Sequence, residues 1–387
     1  MKKIINLGVA GAGAVFHHMH YPALLKLADK FRIVSVYDPS AGTKREFRKL
    51  YGKEPFIFAG SGDELLNNSD IDAIAIFTPT GTHTEYTLKA LKNRKNVFLE
   101  KPVSVDPGDV KKIIEAEKKT GKFVQVGMVL RYSSFYRQIS KLVNGGKYGK
   151  VLWMNWIETR PFDPMQWRYV NTNRNGDAVI FDKAVHQFNL FNAFAGAKPA
   201  EVMAMGGQYL LNSIKSKKLR AFSSEVSLKG ESCDHFMAMI RYRNNVKASI
   251  TVSYVSPHAR ESRWVIQLEK AKVIAHFETF VNAARSSRRK WNGNPSSIYL
   301  FKDDRNYPVV WKYPMSYPPQ EKNLVFFDEY EDEPMHPGST AQWAAFYDSC
   351  IKNTKPESSA RVALLDTIVA AAVTRSVKEH RSVKISV

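Results

Sequence analysis

Cysteine is nearly absent from this sequence. There are two among 387 residues, Cys233 and Cys350, far apart and in no metal-ligand spacing. That excludes a disulfide framework and a cysteine-based zinc site. It agrees with a reducing compartment, so a cytoplasmic location is expected. Long apolar runs are missing too: nothing approaches the ~18 uninterrupted apolar residues of a membrane span, so no membrane partner is expected. Acidic residues are outnumbered, 37 Asp and Glu against 57 Lys and Arg, for a formal net charge of +20. The basic excess is scattered over Lys44 to Lys53, Lys111 to Lys122, Lys215 to Arg220 and Arg285 to Lys290. No aromatic-rich RNA motif or zinc finger accompanies it, so nucleic acid is not the expected partner. The charge serves solubility and leaves an anionic small ligand open. No internal repeat is present.

What is there is ordinary globular material, 44% hydrophobic and 24% charged, long enough for two domains. The opening "MKKIINLGVAGAGAV" has two lysines, an apolar run and small residues, the outline of a secretory leader. A nucleotide-binding first strand and its glycine loop use the same letters. A complete nucleotide-binding pattern follows, so the segment reads as mature structure.

The first 128 residues alternate short apolar strands with amphipathic helices. Strands are expected at 4–10, 32–38, 71–77, 96–100 and 123–127, with helices over about 41–51, 83–92 and 109–119. Near-continuous apolar strands separated by helices imply a parallel sheet covered on both faces. After roughly Tyr148 the rhythm changes to longer strands that follow one another, at 151–158, 201–209, 235–242, 246–254, 264–268 and 272–277. Several alternate apolar and polar residues, as in "VKASITVSY", which predicts a mostly antiparallel sheet with one covered face. Helices over about 340–352 and 359–378 and a final short strand close the chain, while 286–338 reads as long loops with short strands. The expected architecture is α/β: a Rossmann dinucleotide-binding domain (1–128), then an α+β domain with an open, mostly antiparallel sheet (129–387).

"GAGAVF", Gly11 to Phe16, falls between the first strand and its helix. Gly11 permits a tight turn, and Gly13 lets backbone approach a pyrophosphate whose charge the helix N-terminus stabilises. Ala14, Val15 and Phe16 complete the loop. Phe16 departs from the small residue usual at that third position, so helix–strand packing must differ there. Asp38 ends the second strand, where a carboxylate accepts the adenosine ribose hydroxyls and favours NAD over NADP. A turn-forming Asp before Pro39 would look the same, and Ser40, Lys44 and Arg45 keep NADP open. "HHMH" (His17, His18, His20) has no acidic or cysteine companion in sequence, so packing roles and no metal are expected.

"FDKAVHQF", Phe181 to Phe188, places Asp182 and His186 four apart, stacked on one face of a helix. Two readings fit: a helix start with a capping Asp and a core His, or an acid–base pair. Lys183 points about 100° away from them.

The motifs in order resemble the Gfo/Idh/MocA family of nicotinamide-dependent oxidoreductases over nearly the whole chain. Glu100, Lys101 and Pro102 match its Glu-Lys-Pro signature. Thr78, Pro79, Thr80 and His83 are similar to its Thr-Pro-Asn-x-x-His segment, with Thr80 in place of Asn. "YPAL" after the glycine loop and Arg131 in "GMVLRYSSFYRQI" also match. Trp167 and Arg168 precede a run in which Asn175 and Asp177 replace two usual glycines, and Asp182 and His186 close it. The resemblance implies that His186 is the acid–base residue, Asp182 its orienting or hydroxyl-binding neighbour, and Lys101 a cation polarising the substrate hydroxyl. It implies cofactor contacts from the glycine loop, Asp38, Thr78, Pro79, Thr80, His83, Glu100 and Lys101. Substrate contacts are implied for Arg131, Trp167, Arg168, Asp182 and His186, with Tyr132, Trp156 and Arg160 as further sugar-contact candidates.

The activity so implied is an NAD(P)-dependent sugar or polyol dehydrogenase, working on a carbohydrate or sugar derivative as a homodimer or homotetramer. A glycosidase or lyase that recycles bound NAD through transient oxidation is an alternative. A non-catalytic nucleotide-binding sensor is a third class, opposed by the presence of Lys101, Asp182 and His186.

Overall fold

The computed structural model describes residues 3–52, 56–160, 178–209, 232–256, 261–276, 296–302, 308–313 and 338–386. The chain divides into two compact units, Met1–Ser133 with Tyr330–Leu364, and Ser134–Glu329 with Leu365–Val387.

Among the described residues, the first unit holds six parallel strands, β1 (Ile5–Ala10), β2 (Phe31–Tyr37), β3 (Ile57–Phe58), β4 (Ala73–Ile76), β5 (Asn96–Leu99) and β6 (Val124–Val126). Their order is β3-β2-β1-β4-β5-β6, the doubly wound arrangement whose ligand crevice lies where the order reverses, between β1 and β4. Every residue of β4 and β6 is buried, as expected of a sheet with helices on both faces. Those helices are α1 (Tyr21–Leu25), α2 (Ala41–Tyr51), α3 (Gly62–Asn67), α4 (Thr80–Lys92) and α5 (Pro107–Thr120). Side chains start three of them. The oxygens of Ser40, Ser61 and Asp106 accept from the backbone N–H groups of Thr43, Glu64 and Gly108, filling positions a helix leaves unbonded. Gly121 stops α5 in the left-handed region at φ 69°.

A later helix also belongs to this unit. The helix Ser339–Lys352 brings Trp343 against Phe98, with ring centroids 4.1 Å apart, and Phe346 against Phe31, Phe98 and Phe123.

Among the described residues, the second unit is built on nine strands. They are β7 (Val151–Thr159), β8 (Pro199–Gly207), β9 (His235–Tyr242), β10 (Lys247–Ser253), β11 (Glu261–Leu268), β12 (Ala271–His276), β13 (Ser296–Lys302), β14 (Val309–Tyr313) and β15 (Val383–Lys384). Their order is β14-β13-β12-β11-β7-β10-β9-β8-β15. All pairings are antiparallel except β7 with β10. The expected open, mostly antiparallel sheet is the one observed. Its strands alternate as the sequence does: Phe236, Ala238, Ile240 and Tyr242 of β9 are buried, while Met237, Met239 and Arg241 are exposed.

Helices α6 (Ser134–Asn144) and α7 (Val185–Ala195) supply the covering layer. Tyr136 stacks on Trp156 at 5.9 Å, and Phe194 on Trp264 at 5.2 Å. These aromatics exclude water from the inner face, the dominant favourable contribution to folding. The long helix Ala360–Glu379 passes from the first unit into the second at Leu365. Among the described residues, no helix is long and apolar enough to cross a membrane.

Candidate functional site

The first unit's candidate residues gather past the carboxyl ends of its strands, because a parallel sheet sends every such end to one edge. β1 runs into Gly11, whose φ of 92° is open to glycine without strain. A Cβ there would lie 2.7 Å from the Phe77 carbonyl carbon and oxygen. A Cβ on Gly13 would meet nothing within 4 Å, so the backbone at Gly13 faces open space. Asp38 follows β2 and is 9% exposed. Its Oδ2 accepts from Ala12 N–H and its Oδ1 from Ser40 N–H, both at 2.9 Å. Each oxygen keeps a second lone pair for a ribose hydroxyl. A tight turn, exposed backbone and a fixed carboxylate at adjoining strand ends fit an adenine dinucleotide.

Phe16 is accommodated by a local change of helix type. It is fully buried among Tyr21, Phe47, Tyr51 and Phe77, and residues Phe16–His20 form a π-helical turn leading into α1. The wider turn is the form in which this segment seats a large ring where a small residue is usual. Ala14 and Val15 remain exposed at the loop.

Behind the loop, His17 and His20 hold defined contacts. His17 Nδ1 lies 3.1 Å from the Tyr51 hydroxyl. His20 is buried, its Nε2 2.9 Å from Glu100 Oε1, while Trp343 Nε1 donates to its Nδ1 at 3.1 Å. An indole N–H can only donate, so the His20 proton sits on Nε2 and points at Glu100. The contact is a hydrogen bond to a buried carboxylate. Burial works to raise the Glu100 carboxyl, but the His20 bond and the Lys101 charge outweigh it and hold the pKa below the usual range. The other Glu100 oxygen accepts from Lys101 N–H at 3.0 Å. Glu100 thus fixes the backbone from which the half-buried Lys101 projects; the peptide that follows, Lys101–Pro102, is cis. Sequence reading missed this arrangement, since Trp343 lies 323 residues from its partner.

His83, expected among the cofactor contacts, is used by the fold. It is 1% exposed, with Nδ1 2.8 Å from the Pro102 carbonyl and Nε2 2.7 Å from the Thr78 carbonyl. It ties the segment after β4 to the segment after β5. Thr78 and Thr80 stand at the start of α4, partly exposed. Arg131 is engaged by Glu357 at 3.3 Å. Tyr132 is buried against the Ser358 hydroxyl at 2.9 Å, so it is interior and not open to a sugar.

In the second unit, Asp182 lies within π-helical turns over Ala178–Ala184, and His186 in α7, which follows. From Val179 to Phe191, every side chain is buried except these two, which are partly exposed. The two residues singled out in the sequence are thus the partly exposed positions of this segment.

Lys183 is buried, and its Nζ lies 2.7 Å from Glu158 Oε1. Gln187 Nε2 donates to Glu158 Oε2 at 2.8 Å. Sequence reading passed over Glu158, although its phase with Met154 and Trp156 on β7 marks it as inward-pointing. Trp156 is a core residue, and Arg160 is buried with its guanidinium over the Tyr254 ring at 4.7 Å; neither is open to a sugar. Trp167, Arg168, Asn175 and Asp177 lie outside the described residues. Among the described residues, no group of three His, Cys, Asp or Glu could hold a metal.

The sequence matches the models of a known family. The Gfo/Idh/MocA family model, described as an oxidoreductase family with an NAD-binding Rossmann fold, matches residues 5–128, and that family's C-terminal-domain model matches 136–274. An inositol 2-dehydrogenase of Klebsiella pneumoniae (strain 342) is 30% identical over 187 residues, covering 48% of this chain and 53% of the relative. A scyllo-inositol 2-dehydrogenase (NAD(+)) of Bacillus subtilis (strain 168) is 23% identical over 263 residues, 68% of this chain and 71% of that one. The chain spans about half the length of the first such curated relatives, 53–59%. A solved levoglucosan dehydrogenase, in complex with NADH and levoglucosan, shares the fold with a TM-score of 0.76 at 15% identity, covering 99% of each chain. The two family models together span most of the sequence, one on each unit, and the chain belongs to the Gfo/Idh/MocA family, with an NAD-binding Rossmann domain at its N-terminus.

Proposed function

We propose that this chain is an NAD(P)-dependent dehydrogenase that oxidises a secondary alcohol of a sugar, polyol or sugar derivative, or reduces the matching ketone. One observation carries the reading: Asp182 and His186 are the two partly exposed side chains on a helical segment, Val179 to Phe191, that is otherwise buried. Bound nicotinamide supplies the hydride acceptor. His186 takes the hydroxyl proton as hydride leaves the carbon, a task suited to a group that titrates near neutrality. Asp182 orients that imidazole or binds a neighbouring hydroxyl. Lys101 stabilises the developing alkoxide, its backbone pinned by the buried Glu100 carboxylate. Asp38 holds the adenosine ribose, and its charge favours NAD over NADP. The dehydrogenases of inositol and levoglucosan among the relatives point to the substrate class.

The experiment is an absorbance screen for NADH against inositols, sugars, polyols and sugar acids, with NAD⁺ and NADP⁺ in parallel. Steady NADH formation supports the reading. Bond cleavage without net NADH would assign the NAD-recycling elimination instead. Tight coenzyme binding with no turnover on any substrate would assign a sensor.

We propose further that the chain works as a homodimer or homotetramer through the open face of the second unit's sheet. Met205, Met237 and Met239 are 69%, 55% and 63% exposed there. Met205 pairs with Met237, and Met203 with Met239, making a contiguous apolar patch of the kind that marks interaction sites.

A further inference from the structure

Asp182 and His186 lie on opposite sides of a change in helix type, from π-helical turns through Ala184 to the α-helix beginning at Val185. A π turn bonds i to i+5 and an α turn i to i+4. The regular spacing that stacks residues four apart therefore does not by itself fix the angle between these two. Something outside the helix has to hold both sides of the join.

One carboxylate does so. Lys183 follows Asp182 in the π segment, and Gln187 follows His186 in the α segment. Lys183 binds Glu158 Oε1 at 2.7 Å and Gln187 binds Oε2 at 2.8 Å. Glu158 stands near the end of β7, 2% exposed, on a strand paired on both sides by β10 and β11. Ser262 of β11 approaches Oε2 at 3.5 Å, and Arg160 Nε lies 4.0 Å from Oε1. We propose that Glu158 is the positioning residue of the acid–base pair: gripping Lys183 and Gln187, it clamps the join and sets the face that presents Asp182 and His186.

The proposal rests on the function proposed above. Burial opposes the Glu158 charge, yet the Lys183 and Arg160 cations outweigh it and hold the carboxyl below its usual range. A buried ion pair contributes little net stability but can fix one arrangement among several. Lys183, adjacent to the pair in sequence, is thereby assigned to the clamp and not to the chemistry.

The test compares wild type with Glu158→Gln and with Glu158→Gln/Lys183→Met, which removes the two charges of the ion pair; circular dichroism confirms that each variant is folded before it is read. The first readout is the rate at which diethyl pyrocarbonate modifies His186, followed by peptide mass spectrometry with exposed His18 as internal control. It needs no substrate. The second is kcat and KM on a substrate from the screen, with coenzyme Kd from NADH fluorescence.

The expected result is a His186 modification rate changed threefold or more in both variants, with His18 unchanged. It is accompanied by kcat lowered about tenfold or more, the scale of a misplaced catalytic group, and coenzyme Kd within twofold. A His186 rate within threefold of wild type in the folded double variant overturns the proposal. If wild type turns over no substrate, the function reading fails, while the modification rates still decide the clamp.

Discussion

His20 donates its Nε2 proton to the buried Glu100 carboxylate across 2.9 Å, with Trp343 fixing the tautomer from the opposite nitrogen. His20→Ala leaves that carboxylate without its side-chain donor. A lost hydrogen bond to a buried charge costs about 2–3 kcal/mol, so urea unfolding at pH 7 should show a loss of that order. Glu100 has a folded pKa held below the unfolded value. Its stabilisation is present above the unfolded carboxyl range near about 4.3 and is lost as pH falls through the lower folded value. Stability measured from pH 7 downward should fall at the acid end, and less steeply in Glu100→Gln.

Glu117 behaves in the opposite sense. Burial on α5 pushes its carboxyl up to about 7, against the lowering effect of Val124 N–H, which donates to it at 2.7 Å. Between the unfolded range and that value, the folded chain holds a proton that the unfolded chain releases. Stability therefore declines as pH rises through this window. Glu117→Gln keeps an oxygen for Val124 and removes the charge. It should be more stable than wild type at pH 8 by about 1–3 kcal/mol, with little difference at pH 5. Equal melting temperatures at pH 8 would contradict the raised carboxyl.

Lys101→Ala and His186→Ala should each lower turnover by ~10²-fold or more, the scale of a lost acid–base or charge-stabilising group. Coenzyme affinity should survive His186→Ala and fail on a bulky change at Gly13. Wild-type rates in either alanine variant, on the substrate found by screening, would remove that residue from the mechanism.

The methionine face gives a prediction independent of substrate. Met237→Asp/Met239→Asp places two charges on exposed positions of β9, so the fold should persist. A charge buried without a partner is strongly disfavoured, so the assembly should become monomeric by light scattering. An unchanged mass would move the interface elsewhere.

Much of the candidate site was legible in the sequence because its placement depends on local order. Gly11, Gly13 and Asp38 are read from their places at strand ends. Glu100-Lys101-Pro102 and Asp182-x-x-x-His186 are contiguous motifs. The alternation of β9 and the apolar runs of β1 and β4 state which faces are covered, since backbone geometry ties side-chain direction to residue number.

What the tertiary structure alone decided concerns residues brought together from afar. The pairing of His20 with Glu100 and Trp343 spans most of the chain, and no spacing rule reaches across it. His83 looked like a ligand contact, but two backbone carbonyls that fold around it make it a structural tie. Phe16 read as a flaw in a glycine motif, and a π turn with an aromatic cluster seats it. Lys183 read as pointing away from Asp182 and His186 on a regular helix, and a buried carboxylate on β7 gives it a partner. Sequence patterns report which groups are available and which face they occupy. Burial, through the cost of leaving a polar group unpaired, decides which of those groups the fold encloses and which stay partly exposed.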